Sequence, residues 1–167
     1  MSLSNNIIMK YKGIWFYGLS GSGKTLLSNT IKKKFKKIFI IDGDKVRKNI
    51  SFDLSYSQKD RDIQVKRIFG LCKIVLESNM IPVASTVNFN KEILKLCKKE
   101  NILPIKIIRK NMLKIFKKHK TYKNKKNVFG LDLKYDNFKT LKITNNNNKT
   151  FCQNLSFFEK FLIVKSI

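Results

Sequence analysis

The sequence predicts an α/β fold, a three-layer αβα sandwich in which helices cover both faces of a five-stranded parallel sheet. One observation behind this prediction is that short β-branched apolar stretches alternate with longer stretches of helical period, as in repeated βαβ units. The other is a glycine-rich segment between the first strand and the first helix. The predicted strands span residues 14–17, 38–41, 82–87, 104–108 and 141–144. The predicted helices span residues 24–35, 59–78, 91–99, 112–118 and 155–164.

The length of the chain, 167 residues, suits one domain, and we predict a single domain over residues 1–167. An apolar fraction of 43% supplies a core and excludes a disordered basic tail. Apolar runs stay well below the roughly 20 residues of a membrane-spanning helix, and the first residues lack a secretory-signal pattern, so we expect a cytoplasmic protein. Cys72, Cys97 and Cys152 form no CxxC pair, which predicts reduced buried thiols.

The strong positive charge does not by itself indicate a nucleic-acid-binding protein. Lysine and arginine number 36 against 11 acidic residues, which gives a formal charge of +25. Only four of the 36 are arginines, the residues that nucleic-acid surfaces concentrate, and the lysines are scattered along the chain. We therefore expect neither nucleic acid nor membrane as the main partner. A small polyanionic substrate fits better, because a positive surface attracts it.

The clearest motif is GLSGSGKT at residues 18–25, which fits the phosphate-loop pattern G-x-x-x-x-G-K-[ST] in full. It follows a buried strand and opens a helix, so backbone amides and the helix N-terminus would converge on phosphate oxygens. This context predicts a P-loop kinase that uses ATP and Mg²⁺ rather than an ordinary glycine turn. Lys24 would reach the β- and γ-phosphates, and the Thr25 hydroxyl would ligate Mg²⁺. The other predicted ATP-binding positions are Gly18, Ser20, Gly21, Ser22 and Gly23.

Two carboxylates follow the second predicted strand, at the sheet edge where the phosphate loop also lies. Asp44 could orient Mg²⁺-bound water or accept a proton from an attacking hydroxyl, and Arg47 could hold an anionic group of the acceptor. Asp42 and Asp44 could equally form a polar turn that caps the next helix. The third predicted strand carries no acidic residue, so Asp42 and Asp44 have to supply the acidity, which favours the functional interpretation.

Three further features limit the chemistry of the chain. His119 is the single histidine, which excludes a His-based zinc site and a Ser/His/Asp triad. Residues 117–127 are rich in lysine and poor in apolar residues, and we predict an active-site lid over residues 117–132. The asparagine run at residues 145–148 is interpreted as a low-complexity turn without chemistry.

The ordered series GLSGSGKT, DGD with Arg47, DLSYS, Asp60 with Arg61, and KRI at residues 66–68 resembles the motifs of adenylylsulfate kinases. The likeness is dense over residues 13–70 and thin afterwards. It implies transfer of the γ-phosphoryl group of ATP to the ribose 3′-hydroxyl of adenylyl sulfate. It also implies that Asp44 is the catalytic carboxylate, acting with Lys24, while Arg47 and Arg61 hold the acceptor nucleotide. Kinases of this family are commonly dimers, so the resemblance implies a homodimer.

The departures from the family pattern lie on the acceptor side. Tyr56 stands where the family usually has a phenylalanine that stacks on the acceptor base, and Gln64 replaces an asparagine. STVNF at residues 85–89 replaces a run like Ala-Phe-Ile-Ser-Pro, so an aromatic contact is lost or moved. A second stacking aromatic is displaced to Phe129 or absent. The predicted substrate-binding residues are Asp42, Arg47, Tyr56, Arg61, Gln64 and Phe129.

These observations predict an ATP-dependent kinase whose acceptor is an activated nucleotide. Besides adenylyl sulfate, cytidine diphosphoramidate remains open, because a similar short kinase phosphorylates it and both acceptors carry two linked anionic centres. An alternative of another class is a nucleotide-dependent RNA-binding or regulatory protein without kinase activity. A weaker alternative is a kinase of a sugar or another small alcohol, because related phosphate-loop kinases share the architecture.

Overall fold

The computed structural model describes residues 11–118, 122–123, 128–131, 133 and 138–151. Within this part of the chain, five parallel strands form one sheet with the order β2-β3-β1-β4-β5. The strands are β1 (Gly13–Tyr17), β2 (Ile38–Asp42), β3 (Ile81–Thr86), β4 (Ile102–Arg109) and β5 (Leu141–Asn145). The helices are α1 (Lys24–Lys34), α2 (Gly43–Asn49), α3 (Gln58–Glu77), α4 (Lys91–Lys99), α5 (Met112–Lys118) and α6 (Asn148–Phe151).

The predicted three-layer sandwich is confirmed, because helices pack on both faces of the sheet. All five predicted strands form, with small shifts at their ends. The largest shift is in β4, which begins at Ile102 rather than at Pro104. The predicted helices at 91–99 and 112–118 have the predicted bounds. The predicted helix at 155–164 lies outside the described residues.

Two short helices were not predicted, α2 and α6. Helix α2 has seven residues and begins at Gly43, a residue with low helix propensity. It forms because the Asp42 side chain caps it, accepting hydrogen bonds from the backbone N–H groups of Asp44 and Lys45. Helix α6 is a single turn that begins at Asn148, the last residue of the run that we interpreted as a turn without chemistry. Helix α2 has one buried residue, Val46, and α6 is a single turn, so neither gives a detectable apolar period in the sequence.

Strand β1 divides the core into two layers, because its successive side chains point to opposite faces of the sheet. Ile14 and Phe16 pack on the face covered by α1, with Leu27 and Ile31. Trp15 and Tyr17 pack on the other face, which is covered by residues of α2, α3 and α4. Burial of β1 on both faces explains why its apolar run is continuous.

The carboxyl ends of all five strands meet at one edge of the sheet, since every neighbouring pair is parallel. The phosphate-loop segment follows Tyr17, the last residue of β1. The other four strands end at Asp42, Thr86, Arg109 and Asn145. Ligands of open α/β sheets bind at this edge. The fold therefore brings the two motifs of the sequence, and three strand ends besides, to one place.

Cys72 and Cys97 are free and buried, as predicted, and Cys152 lies outside the described residues. Burial raises the pKa of the Cys97 thiol to about 12, so this thiol is unreactive at neutral pH. Among the described helices, none combines the length and the apolar character that crossing a membrane requires.

Candidate active site

The segment at residues 18–23 forms a tight loop between β1 and α1. Its Ser22 N–H donates to the Leu19 carbonyl oxygen at 3.1 Å, which closes the loop on itself. Two positions require glycine. A Cβ atom on Gly18 would lie 2.3 Å from the Ile107 carbonyl oxygen, and Gly23 has φ +106° with the Asn145 amide nitrogen 2.6 Å from its Cβ position. The sequence pattern thus reflects steric demands of the neighbouring strands.

The Lys24 side chain is buried in the loop, with 8% of its surface exposed. Its Nζ donates to the carbonyl oxygens of Gly18 at 2.8 Å and Leu19 at 2.9 Å. Burial lowers the pKa of Lys24 to about 8, and the nearby charges of Asp44 and Asp42 oppose this effect. The ammonium group is therefore held at the inner side of the loop, beside both predicted carboxylates.

Thr25 and Asp42 contact each other directly across the loop and the end of β2. The Thr25 hydroxyl donates to Asp42 Oδ2 at 2.9 Å. Asp42 Oδ1 accepts from the backbone N–H groups of Asp44 at 3.0 Å and Lys45 at 3.3 Å. Asp42 thus caps α2, as one of the two interpretations of the DGD segment predicts, and it contacts the phosphate loop at the same time. The functional interpretation of the segment stays a prediction. A hydroxyl beside a carboxylate is also the kind of oxygen pair that Mg²⁺ accepts.

Arg47, Tyr56 and Arg61 form a second cluster, in which Arg47 lies on α2, Tyr56 on the segment between α2 and α3, and Arg61 on the first turn of α3. The Arg47 guanidinium carbon lies 4.7 Å from the centre of the Tyr56 ring, and that of Arg61 lies 5.4 Å from it. The Arg47 guanidinium also donates to the backbone oxygen of Ser55 at 2.6 Å. The Tyr56 ring is 60% exposed, so one side of it stays open to a ligand. Two cations beside an exposed ring suit a planar base linked to an anion.

Phe129 is the one predicted substrate-binding residue that lies in the predicted lid. The Arg61 guanidinium carbon lies 5.4 Å from the centre of its ring, and the ring is buried. Phe129 therefore contacts the second cluster through Arg61. Of the predicted lid, residues 119–121, 124–127 and 132 lie outside the described residues.

A cleft of about 300 Å³ joins the phosphate loop to the second cluster. The predicted site residues that line it are Ser20, Gly21, Gly23, Lys24, Thr25, Asp42, Asp44, Arg47, Tyr56, Arg61 and Gln64. Three predicted residues do not line it. Gly18 and Ser22 are buried within the loop, and Phe129 lies behind Arg61. Gln64 is buried and donates from Nε2 to the Gly43 carbonyl oxygen at 2.8 Å, which fixes it against α2.

The end of β3 contributes cleft residues that the motifs did not indicate. Thr86 accepts a hydrogen bond from the Trp15 indole at 2.8 Å and donates to the Asn88 carbonyl oxygen at 2.7 Å. The Asn88 amide donates to Asp62 Oδ1 at 2.9 Å. Thr86 and Asn88 line the cleft, whereas Phe89 stacks on Tyr17 in the core at 4.2 Å between ring centres. The aromatic residue of this run therefore packs in the core rather than in the cleft.

The ends of β4 and β5 also reach the site, which corrects our interpretation of residues 145–148. Asn145 is fully buried and donates from Nδ2 to the Ser22 carbonyl oxygen of the phosphate loop at 2.9 Å. Arg109 and Asn148 line the cleft, and the Arg109 guanidinium donates to Asn148 Oδ1. An asparagine run carries no motif, so its position against the loop could be found only in three dimensions.

Tyr122, a described residue of the predicted lid, contacts the phosphate loop. The Tyr122 hydroxyl donates to the Ser20 carbonyl oxygen at 2.9 Å, and its ring packs edge-on against Phe116. Burial raises the pKa of Tyr122 to about 12, although the hydrogen bond to Ser20 opposes this effect. The hydroxyl therefore stays protonated and can donate throughout the neutral range.

Comparison with protein families and curated relatives identifies similar sequences. The family model described as adenylylsulphate kinase matches residues 10–140. An adenylyl-sulfate kinase of Picosynechococcus sp. is 35% identical over 91 residues, which are 51% of this chain and 51% of that protein. One of Prochlorococcus marinus is 37% identical over 79 residues, 45% of this chain and 39% of that protein. The chain thus spans about half the length, or less, of the curated relatives it matches.

Solved structures share the fold. One is an APS kinase of Mycobacterium tuberculosis, solved in complex with AMPPNP and APS. It matches with a TM-score of 0.73 at 20% sequence identity, and the match covers 91% of this chain and 99% of that chain. A sugar kinase from Janibacter sp. has a TM-score of 0.62 at 9% identity and covers 90% of this chain and 95% of its own. At these identities the likeness concerns the arrangement of helices and strands.

Proposed function

This chain belongs to the adenylylsulphate kinase family, and on that premise we propose that it transfers the γ-phosphoryl group of ATP to the ribose 3′-hydroxyl of adenylyl sulfate. The observation that carries the proposal is the single cleft that joins a complete phosphate loop, with Lys24, to Asp44 and the cluster of Arg47, Tyr56 and Arg61. Transfer between two nucleotides needs both halves in one cleft, because the reacting oxygen has to meet the terminal phosphate.

The residues of the loop fit the phosphates of ATP. The loop exposes Ser20, Gly21 and Gly23 to the cleft, and the Ser22 hydroxyl is buried without a hydrogen-bond partner in the described part of the chain. Lys24 brings a cation that would exchange the carbonyl oxygens of its own loop for phosphate oxygens. Thr25 and Asp42 supply the hydroxyl and carboxylate oxygens for Mg²⁺. When bound, ATP with Mg²⁺ supplies the phosphoryl group and neutralises its developing charge.

The residues proposed to bind the acceptor are also assigned from the chemistry of the side chains in the cleft. The Tyr56 ring would stack on the acceptor base, and Arg47 and Arg61 would bind its anionic groups. Asp44 is exposed on the first turn of α2 and lines the cleft near Lys24. We propose Asp44 as the group that accepts the proton of the attacking hydroxyl. Phosphoryl transfer is mainly positioning and charge neutralisation, and these residues supply both.

ATP turnover with a small set of acceptors tests the proposal. We expect turnover with adenylyl sulfate and Mg²⁺, and much less with cytidine diphosphoramidate or a simple nucleoside. Lys24→Ala should remove the activity, whereas Lys73→Ala, which removes an exposed lysine of α3, should not. Preference for cytidine diphosphoramidate would reassign the acceptor. ATP binding without turnover on any acceptor would favour the regulatory class.

The cation and the state of association are separate parts of the proposal. We propose that Mg²⁺ is the required cation, so chelation should stop turnover and added Mg²⁺ should restore it. The homodimer stays a prediction. Light scattering on the purified protein would test it, and a monomer would contradict it.

A further inference from the structure

Asn145 has no part in the motifs of the sequence, yet its side chain is built into the phosphate loop. It is the last residue of β5 and none of its surface is exposed. Its Nδ2 donates to the Ser22 carbonyl oxygen at 2.9 Å, across 123 positions of the chain. Since a carbonyl oxygen can only accept, the amide nitrogen has to face the loop. The contact is close enough that a Cβ atom on Gly23 would lie 2.6 Å from that nitrogen.

Polar contacts hold the Asn145 amide in this orientation. Its Nδ2 also donates to Asn148 Oδ1 at 3.2 Å, and Asn148 Oδ1 accepts from the Arg109 guanidinium. The backbone oxygen of Asn145 accepts from the Lys110 N–H at 3.2 Å. Arg109 lies opposite Asn145 in the pairing of β4 with β5. The Nδ2 group of Asn145 is thus held by two acceptors, the Ser22 carbonyl oxygen of the loop and Oδ1 of the cleft residue Asn148.

We propose that Asn145 is a positioning residue for ATP binding, which it serves by setting the orientation of the Ser22–Gly23 peptide unit. In a planar trans peptide the C=O and the following N–H point in opposite directions. Holding the Ser22 carbonyl oxygen on Asn145 therefore turns the Gly23 N–H away from Asn145, and Gly23 lines the cleft. A preset N–H costs no reorganisation when a phosphate oxygen arrives. The inference rests on the proposed function because it takes ATP as the ligand.

Two variants separate positioning from folding. Asn145→Leu has nearly the same shape, removes the donor, and also removes Oδ1, which has no hydrogen-bond partner in the described part of the chain. Because only one partner of the hydrogen bond is replaced, the Ser22 carbonyl oxygen is left without this donor, and a modest loss of stability is expected. Asn145→Asp keeps the shape but presents a carboxylate that cannot donate. Asn146→Asp is the matched control, with the same change of charge on the exposed neighbour.

The experiment measures ATP binding in the presence of Mg²⁺ by titration calorimetry, and thermal unfolding of each unliganded protein. We expect Asn145→Leu to weaken ATP binding about tenfold, the scale of one hydrogen bond. Its unfolding temperature should fall by only a few degrees, so that the protein stays folded at the temperature of the titration. Asn145→Asp should weaken binding further, because its charge also repels the phosphates, while Asn146→Asp binds like the wild type.

Wild-type affinity in Asn145→Leu, or equal affinities of Asn145→Asp and Asn146→Asp, would overturn this inference alone. An unliganded Asn145→Leu protein that unfolds far below the wild type would also overturn it, because the residue would then hold the fold rather than the loop. Failure of the wild-type protein to bind ATP would refute the proposed function together with the inference.

Discussion

The buried ammonium group of Lys24 makes ATP binding sensitive to pH in a range where an ordinary lysine would not respond. Burial lowers the pKa of Lys24 to about 8 in the unliganded protein, against a usual value of 10.5. If the charged form binds the phosphates, the apparent dissociation constant is the intrinsic one divided by the charged fraction. That fraction falls to about one tenth at pH 9. Raising the pH from 7 to 9 should therefore weaken ATP binding about tenfold.

Titration calorimetry at pH 7, 8 and 9 measures this effect. The second ionisation of a phosphate lies near pH 6, so ATP itself changes little in this range. Lys24→Arg is the control, because a guanidinium keeps its charge up to a pH of about 12. The affinity of that variant, although weaker, should not depend on pH. Equal affinities of the wild-type protein at pH 7 and pH 9 would refute the reasoning, as would an equal pH dependence in Lys24→Arg.

The same pKa predicts a pH dependence of stability. The folded protein binds fewer protons than the unfolded chain between about pH 8 and 10.5, because the pKa of Lys24 is lower in the folded state. Its stability relative to a Lys24→Met variant should therefore rise with pH across this window. The full change is about 3 kcal/mol. Urea unfolding of both proteins at several pH values measures it, and the other lysines cancel in the difference.

Substitutions at three further positions test the catalytic and binding assignments. Asp44→Asn should lower kcat by about 10²-fold or more while ATP affinity stays within about threefold, because it removes the proton acceptor and leaves the loop intact. Tyr56→Phe should keep the KM for adenylyl sulfate, whereas Tyr56→Ala should raise it about tenfold, since only the alanine removes the ring beside Arg47 and Arg61. Gly23→Ala should lose ATP binding and about 1–3 kcal/mol of stability because of its φ of +106° and the close Asn145.

Each of these substitutions has its own control and contrary outcome. An Asp44→Asn protein with normal kcat would assign the proton to another group. Equal KM values for Tyr56→Phe and Tyr56→Ala would mean that the ring does not contact the acceptor. The control for Gly23→Ala is Gly70→Ala in α3, where a Cβ atom meets nothing within 4 Å. It should raise stability by about 0.5–1 kcal/mol, as alanine does for glycine inside a helix.

The elements that could be predicted are those whose signal is local in the sequence. Strand β1 and helix α1 have clear apolar patterns. The eight residues that follow β1, residues 18–25, carry the whole phosphate-loop pattern. Helix α2 could not be predicted, because it is short and depends on a cap from Asp42. The two interpretations of Asp42 could not be separated from the sequence, since one carboxylate has two oxygens, and here one oxygen caps α2 while the other accepts from Thr25.

The residues predicted to bind the acceptor show even more strongly that contacts between distant residues cannot be predicted from local patterns. The replacement of the family run at residues 85–89 was visible in the sequence, but the destination of Phe89 was not. Its ring packs between Tyr17 and Phe138, and those contacts depend on how β1 and a distant segment meet. The hydrogen bonds of Thr86 and Asn88 likewise join partners 71 and 26 positions away. No local pattern encodes such contacts, because they arise only when the elements pack.

By itself the sequence determined the alternation of strands and helices, the phosphate loop and the kind of chemistry that a lysine, a threonine and two carboxylates can support. These follow from short-range rules of period and spacing, which residues obey before they meet distant partners. The tertiary structure decided which side chains share the cleft, that Lys24 is buried enough to lower its pKa, and that Asn145 contacts the loop. Burial and long-range hydrogen bonds arise only when the chain packs, so they cannot be predicted from local patterns in the sequence.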